Sequence, residues 1–213
     1  MTTAAAPDLK QRLAPLLAPP REPVLVDIPE LSFLTVDGQG PPTGDAGAPP
    51  SEFQLAIGAL YSVLYTAKFG LKRIGVMVPV LPLEALWFSA GGATFDMTSP
   101  PGGWSWRALI AISDGVTPDV VERTVTEIRA RRGITPALDR LRHERWCEGR
   151  SAQVMHVGPY SAEAPTIERL HAFIAAQGLR PRGAHHEIYL GDPRRAAPEK
   201  LRTIIRQPVS DCP

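Results

Sequence analysis

Residues 184–195 read Ala-His-His-Glu-Ile-Tyr-Leu-Gly-Asp-Pro-Arg-Arg, an alternating run that stops at a Gly-Asp-Pro turn, as a β-strand does. Successive strand side chains point to opposite faces, so His186, Ile188 and Leu190 share one side while His185, Glu187 and Tyr189 share the other. The first side reads as core. The second gathers an acid, an aromatic ring and an imidazole, which packing alone does not require, and a ligand is expected there.

The elements on either side of this strand decide how it is used. Leu201 to Gln207 supplies the strand after it. Before it, Leu141–Cys147 and Ala152–Val157 read as a hairpin around Glu148-Gly149-Arg150, followed by Gly158-Pro159-Tyr160. A helix capped by Ser161 then carries Ile167, Leu170, Phe173 and Ile174 and ends at Gly178. The first half of the chain has the same order. Pro23–Ile28 and Leu31–Val36 read as strands joined at Pro29-Glu30, a long helix runs from Ser51 to Phe69 and closes at Gly70, and strands follow at Leu83–Ser89 and Arg107–Ile112. Between the halves, Thr117-Pro118-Asp119 opens a further helix, about 117–132.

Element order therefore predicts an α+β fold built by duplication, with half-repeats at about 23–113 and 140–210 in one domain, 23–213, behind an N-terminal arm, 1–22, that holds a short helix. The expected arrangement is one curved antiparallel sheet with both long helices on one face. The uncovered face would form a central ligand cleft at the junction of the halves. The Gly- and Pro-rich stretch Asp37–Pro50 is read as a loop, either mobile or part of a binding mouth.

Composition limits the partners. Hydrophobic residues make up 44% and charged residues 21%, an ordinary globular balance, and a net charge of +1 lacks the broad positive footprint of a nucleic-acid binder. No apolar run approaches the ~18 residues of a membrane span, so no membrane partner is expected. The start lacks the basic flank and apolar stretch of a signal peptide, and the two cysteines, Cys147 and Cys212, suit a reducing compartment. A cytoplasmic protein is expected. His185 and His186 point oppositely, and no cysteine or histidine spacing suits a metal, so none is expected. A nucleophile elbow and a phosphate-binding glycine loop are likewise absent from the sequence.

Aligning the two third strands by their core positions places Trp87 in the role of Tyr189 and Ala85 in that of Glu187. Each half then offers one aromatic ring, but only the second offers a carboxylate, and Ala85 leaves space beside it. Such rings hold a flat ligand by stacking, and a carboxylate between them either attracts a cation or acts as a base. The alternative is that Glu187 pairs with an arginine on the sheet and Trp87 is core. Tyr61 and Tyr65, one turn apart on the first long helix, either close the pocket or cover the core edge.

The chain resembles the GyrI-like small-molecule-binding proteins in their stand-alone form. The resemblance is carried by Asp8-Leu9-Lys10, Ala59-Leu60-Tyr61, Lys68-Phe69, Pro82-Leu83-Glu84 with Leu86-Trp87, Trp104-Ser105-Trp106, Glu148-Gly149, His156-Val157-Gly158-Pro159-Tyr160 and, most specifically, His185 to Leu190 with Asp192-Pro193-Arg194-Arg195. It implies a pseudo-twofold pair of strand-helix-strand-strand units around a pocket for aromatic or cationic drug-like molecules, with Glu187 as its acid. Trp87, Tyr160, His185, Ala85, Trp104, Trp106 and Tyr61 are expected around the ligand. Related domains act as ligand sensors behind DNA-binding helices, for which the short N-terminal arm has no room. Some stand-alone members hydrolyse the strained cyclopropane of DNA-alkylating natural products, which would make Glu187 a general base and Tyr189 a donor to the developing oxyanion. Ring strain drives that reaction, so no cofactor is expected. The rival expectations are a non-catalytic drug-binding protein and, from the family name, a modulator of a topoisomerase. The chain departs from the usual family pattern at Ala85, often glycine, at Phe88, often tryptophan, and at Ala108–Ile112, often richer in methionine.

Overall fold

A computed structural model describes residues 8–43, 48–89, 103–133 and 135–211. The middle of the 37–50 loop and Cys212 therefore lie outside the described residues. The elements run α1 (Leu9–Leu13), β1 (Val24–Gln39), α2 (Glu52–Arg73), β2 (Leu83–Phe88), β3 (Ser105–Ile112), α3 (Pro118–Arg132), α4 (Pro136–Asp139), β4 (Arg142–Val157), α5 (Ala164–Ala176), β5 (Leu179–Pro181), β6 (His185–Tyr189) and β7 (Arg202–Asp211). The class is α+β with an antiparallel sheet. The sheet order is β4-β1-β3-β2-β6-β7, β4 also pairs with β7, and β5 adds to β7. The sheet thus curls into a six-stranded barrel instead of staying open.

Two expected hairpins are single long strands. β1 pairs β4 in one register on both sides of Pro29, with Ile28 opposite Gly149 and Glu30 opposite Cys147. Pro29 brings no N–H to this ladder, and the Glu148 carbonyl near it accepts instead from the Arg182 guanidinium. Gly149 takes φ +71°, a left-handed conformation that bends the strand without reversing it. Proline and glycine mark irregularities in strands here, where the sequence suggested turns.

Ser51 begins α2 with a reciprocal cap: its hydroxyl accepts from Gln54 N–H and its N–H donates to Gln54 Oε1. The helix continues past Gly70 to Arg73. Its stop is Gly75, at φ +82°, where the Gly75 and Val76 N–H groups return to the Lys72 and Leu71 carbonyls. A buried stripe of Phe53, Ala56, Leu60, Val63, Leu64 and Ala67 lays this helix on the sheet. Ser161 does not cap α5; it lies in a 3-10 turn, Tyr160–Ala162, that precedes the helix.

Both long helices pack on the same face of the sheet. Phe53 of α2 meets Trp87 at 5.1 Å and Trp106 at 5.0 Å between ring centroids. Leu170 and Ile174 of α5 cluster with Val154 and Ile205, and Ile205 stands opposite Glu187 in the β6–β7 ladder. The helices therefore cover the side that carries Trp87 and Glu187. A barrel of six strands has an interior wide enough only for side chains, so the face turned away from the helices is no open cleft.

That interior holds a buried ionic network. His186 Nδ1 lies 2.8 Å from Glu148 Oε1 and His186 Nε2 lies 2.9 Å from Glu84 Oε2. Arg206 donates to Glu148 Oε2 at 3.0 Å and, through Nε and Nη2, to Gln153 Oε1 at 3.1 Å. Burial drives His186 toward neutrality, but Glu148 and Glu84 overcome it and hold the imidazolium up to about 9. Burial likewise raises Glu148, but His186 and Arg206 outweigh it and hold the carboxylate at about 2. Four strands are tied together by these two cations and two acids.

The network makes stability depend on pH. The raised His186 stabilises fully below its ordinary 6.5 and loses this contribution as pH rises through about 9; the lowered Glu148 stabilises fully above its ordinary 4.5 and loses it as pH falls through about 2. Urea unfolding across pH is expected to show the full contribution between these two ordinary values. Glu148→Gln, which leaves His186 and Arg206 short of their counter-charge, is expected to cost about 3–5 kcal/mol and to flatten both limbs.

Candidate active site

β6 sits between β2 and β7, and its pairing with β2 aligns Ala85 with Glu187, Trp87 with His185 and Leu83 with Tyr189. Residues two apart on a strand share a face, so His185, Glu187 and Tyr189 stand together on the helix-covered side. His186 goes to the interior. Ala85 is fully buried and contributes only a methyl group opposite the carboxylate.

Glu187 is held at both oxygens. Tyr189 donates its hydroxyl to Oε2 at 2.7 Å, and His185 Nε2 lies 3.1 Å from Oε1. The Tyr189 oxygen in turn accepts from Trp87 Nε1 at 3.2 Å. The result is a directed chain, from indole to phenol to carboxylate, which fixes one rotamer of an acid whose side chain is 12% exposed. No arginine takes the carboxylate among the hydrogen bonds of the described residues, so Glu187 is not an arginine partner, whereas Trp87, 3% exposed, does lie in the core as the alternative had it. Burial, then the Glu187 charge, pushes the Tyr189 phenol well above its usual 10, and it stays a donor.

Tyr160 forms the outer wall. Its ring meets Tyr189 edge-to-face at 5.6 Å and remains 36% exposed. Burial, then Glu163, Glu187 and Asp192, raise its hydroxyl to about 12, so it too is a neutral donor. The turn that carries it is pinned by buried His156, whose Nδ1 lies 3.0 Å from Thr166 Oγ1 and whose Nε2 lies 3.3 Å from the Pro159 carbonyl. Gly158 runs at φ +143° there, and a Cβ would approach His156 Nε2 to 3.2 Å. Glycine permits that close approach. On the β2 side, Trp104 stands edge-to-face with Trp87 at 5.7 Å and is half-buried.

Three expected binding residues take other places. Trp106 is 1% exposed, packed between Phe53 and the backbone of Gly38, where a Cβ would strike its ring, so it is core beneath the site. His185 is buried against Glu187 and orients the acid instead of lining the opening. Tyr61 begins a stacked series with Tyr65 and Phe69 along α2, and burial, then Tyr65 and Asp192, raise its hydroxyl; no contact joins it to Glu187 or Tyr189 among those of the described residues.

The sequence reading missed Glu163. It occupies the N-cap position of α5 yet makes no capping hydrogen bond, and it is 3% exposed. Burial, then the Glu187 charge, raises its carboxyl to about 9. Thr203 lies close enough to moderate this, but Glu163 Oε1 and Thr203 Oγ1 are both buried without a hydrogen-bond partner. An acid at a helix start normally reads as a cap or dipole partner, so no pattern in the sequence marks this one. The site thus contains a second carboxyl. A surface concavity of about 630 Å³ lies elsewhere, between Asp37, Gly38, Phe88, Ser105 and Arg140, and it holds neither carboxyl.

Among known proteins, the profile of the GyrI-like small molecule binding domain matches residues 110–210. A conserved protein from Listeria innocua of uncharacterised function is 38% identical, with a TM-score of 0.84 over 95% of this chain and 99% of that one. A hydrolase from Listeria innocua is 35% identical, with a TM-score of 0.80 over the same shares. The EcmrR C-terminal domain is 14% identical at a TM-score of 0.57 over 90% of this chain and 98% of that one, a likeness of fold alone. No curated protein matches. No helix among the described residues is long and apolar enough to cross a membrane. With more than a third of its residues shared with a structure it covers almost end to end, and with the domain profile matched across its second half, the chain belongs to the GyrI-like small molecule binding domain family.

Proposed function

We propose that this protein is a cytoplasmic, cofactor-independent hydrolase of planar aromatic electrophiles, opening a strained cyclopropane of a DNA-alkylating toxin with Glu187 as general base. The observation that carries the reading is the carboxylate held at both oxygens, by Tyr189 and by His185, inside an aromatic wall. A group fixed in this way is oriented before substrate arrives, which is what general-base catalysis asks of it. The relative described as a hydrolase supports an enzymatic role. The expected strand-helix-strand-strand duplication would make β2 the equivalent of β6, and Ala85 stands directly opposite Glu187 in their ladder. The second half keeps the acid, and the first half leaves room.

In this scheme a ring lies between Trp104 and Tyr160, with Trp87 and Tyr189 as its floor. Glu187 takes a proton from water as the water oxygen bonds to the cyclopropane methylene. The ring C–C bond breaks, and its electron pair moves through conjugation to a carbonyl oxygen. Neutral phenols near that oxygen stabilise the growing charge, usually a larger effect than proton transfer alone. Tyr160 suits this role better than Tyr189, whose hydroxyl is already given to Glu187.

A non-catalytic reading is favoured by one feature, that the Glu187 carboxylate already receives a donor at Oε2 and has an imidazole at Oε1, as a fixed counter-charge for a cation would. The two readings separate on incubation with cyclopropanes conjugated to a ring carbonyl and with cationic dyes, followed by mass spectrometry. Hydrolysis yields a product heavier by one water, whereas sequestration returns the ligand intact.

Glu187→Gln is expected to keep the dissociation constant of a ring-opened analogue within a few fold while kcat drops on the order of a hundredfold or more; unchanged kcat would sink the base assignment. Trp87→Phe removes the indole N–H that reaches Tyr189 and shrinks a buried ring packed against Phe53 and Trp104. It is expected to lower kcat by roughly 2- to 10-fold through the lost hydrogen bond and to cost about 1–3 kcal/mol of stability in urea unfolding through the vacated core volume.

A further inference from the structure

Beyond Glu187, one buried acid among the described residues serves neither the core network nor a helix cap. Glu163 enters the site from the start of α5, across from β6. Its turn is fixed by the contacts of His156 to Thr166 and to the Pro159 carbonyl, and by the edge-to-face packing of Tyr160 on Tyr189. Within that frame the carboxyl gives no hydrogen bond to the helix N-terminus, and Oε1 is sealed from solvent without a partner.

Two carboxyls in one poorly solvated site cannot both ionise cheaply, so one keeps a proton. The hydrogen bonds decide which. Glu187 receives the Tyr189 hydroxyl and lies against His185 Nε2, groups that stabilise a charge. Glu163 has no such support: the groups acting on it are Glu187 from β6 and Thr203 from β7, and Tyr160 and Tyr189, which its charge in turn affects, are neutral phenols. The negative charge belongs on Glu187 and the proton on Glu163.

We propose that Glu163 is the proton donor of this site, a neutral acid at rest that gives its proton to the substrate oxygen as the strained ring opens. The inference rests on the hydrolase reading and completes its proton balance. Water loses one proton to Glu187 and its hydroxyl bonds to the methylene; the ring C–C bond breaks; the carbonyl oxygen receives the electron pair and the Glu163 proton, and becomes a hydroxyl. The sum is addition of one water. The site then holds Glu187 neutral and Glu163 ionised, and a proton passing from one to the other, directly or through solvent, restores it. One pocket thus supplies base and acid at the same pH, the pattern seen where paired carboxyls are driven apart in pKa.

The test uses the full chain, a carbonyl-conjugated cyclopropane as substrate and Glu163→Gln, which matches the neutral acid in shape and charge. The difference infrared spectrum of wild type against E163Q at pH 7 is expected to contain the carbonyl band of a protonated carboxylic acid. In turnover, kcat/KM of the wild type is expected to fall as pH rises through about 9, because the donor is then lost. In E163Q that limb is expected to vanish, with kcat lower on the order of a hundredfold and binding of the ring-opened analogue unchanged. Glu163→Asp, which keeps an acid on a shorter arm, is expected to restore part of kcat and the alkaline limb. Absence of the infrared band, or wild-type kcat in E163Q, overturns the proposal while leaving Glu187 as base. Absence of wild-type turnover with every cyclopropane overturns the hydrolase reading and the donor step together, even with the band present.

Discussion

The antiparallel ladder between β2 and β6 joins the two halves of the chain, and both of its faces are committed. On one side Trp87, Ala85 and Leu83 stand opposite His185, Glu187 and Tyr189; on the other, Leu86 and Glu84 stand opposite His186 and Ile188. A slip of one residue would exchange those sets, sending Glu187 into the barrel and His186 under the helices. The slip is opposed from both directions. Inside, Glu84 and Glu148 need the imidazole of His186; outside, Trp87 Nε1 needs the Tyr189 hydroxyl. A few polar contacts across non-adjacent strands therefore specify a register that apolar burial alone would specify less sharply.

The same fold treats its buried acids in opposite ways. Glu148 has an imidazolium and a guanidinium within hydrogen-bond reach and stays charged despite burial. Glu163 has another carboxyl and a threonine as its neighbours and is driven toward the neutral form. Burial is common to both, so it does not choose between them. The neighbours do, and each neighbour is set by sheet order: β7 brings Arg206 to the interior face and Thr203 to the Tyr189 position of the ladder, where the site lies. The acid that ties the interior together and the acid proposed as proton donor are thus separated by one layer of backbone.

Much of this was legible in the chain itself. Strand alternation in 185–189 put Glu187 and Tyr189 on one face, and Ser51 marked the start of α2. Trp87 was picked out by the expected repeat, and its indole N–H reaches the Tyr189 hydroxyl. What misled were residues whose usual meaning is local. Pro29 and Gly149 signal turns in most contexts, but here a long strand tolerates both because pairs on either side hold its register. Gly70 reads as a helix end, yet the glycine that stops α2 is the one at positive φ, Gly75. Trp106 shares a motif with Trp104, but alternation sends it under Phe53. Closure of the barrel depends on β4 meeting β7, a contact between elements about fifty residues apart that no short-range pattern encodes.

Glu163 was illegible for a deeper reason. The role proposed for it follows from how few polar partners it has among the described residues, and that scarcity is created by the whole fold. The 3-10 turn at Tyr160–Ala162 displaces the start of α5 so that the acid faces inward instead of capping the helix. Had it capped, backbone N–H groups would have stabilised its charge and lowered its pKa. Turned inward, it carries a proton beside a carboxylate, and the site bears a single negative charge. Such a site admits a neutral electrophile or a monocation without the repulsion of a second carboxylate. It can also shift its proton from one carboxyl to the other without changing its net charge. For a substrate whose ring opening moves electrons from one end of a flat molecule to the other, a base and an acid on different elements, β6 and the start of α5, suit the reaction better than two groups on one strand.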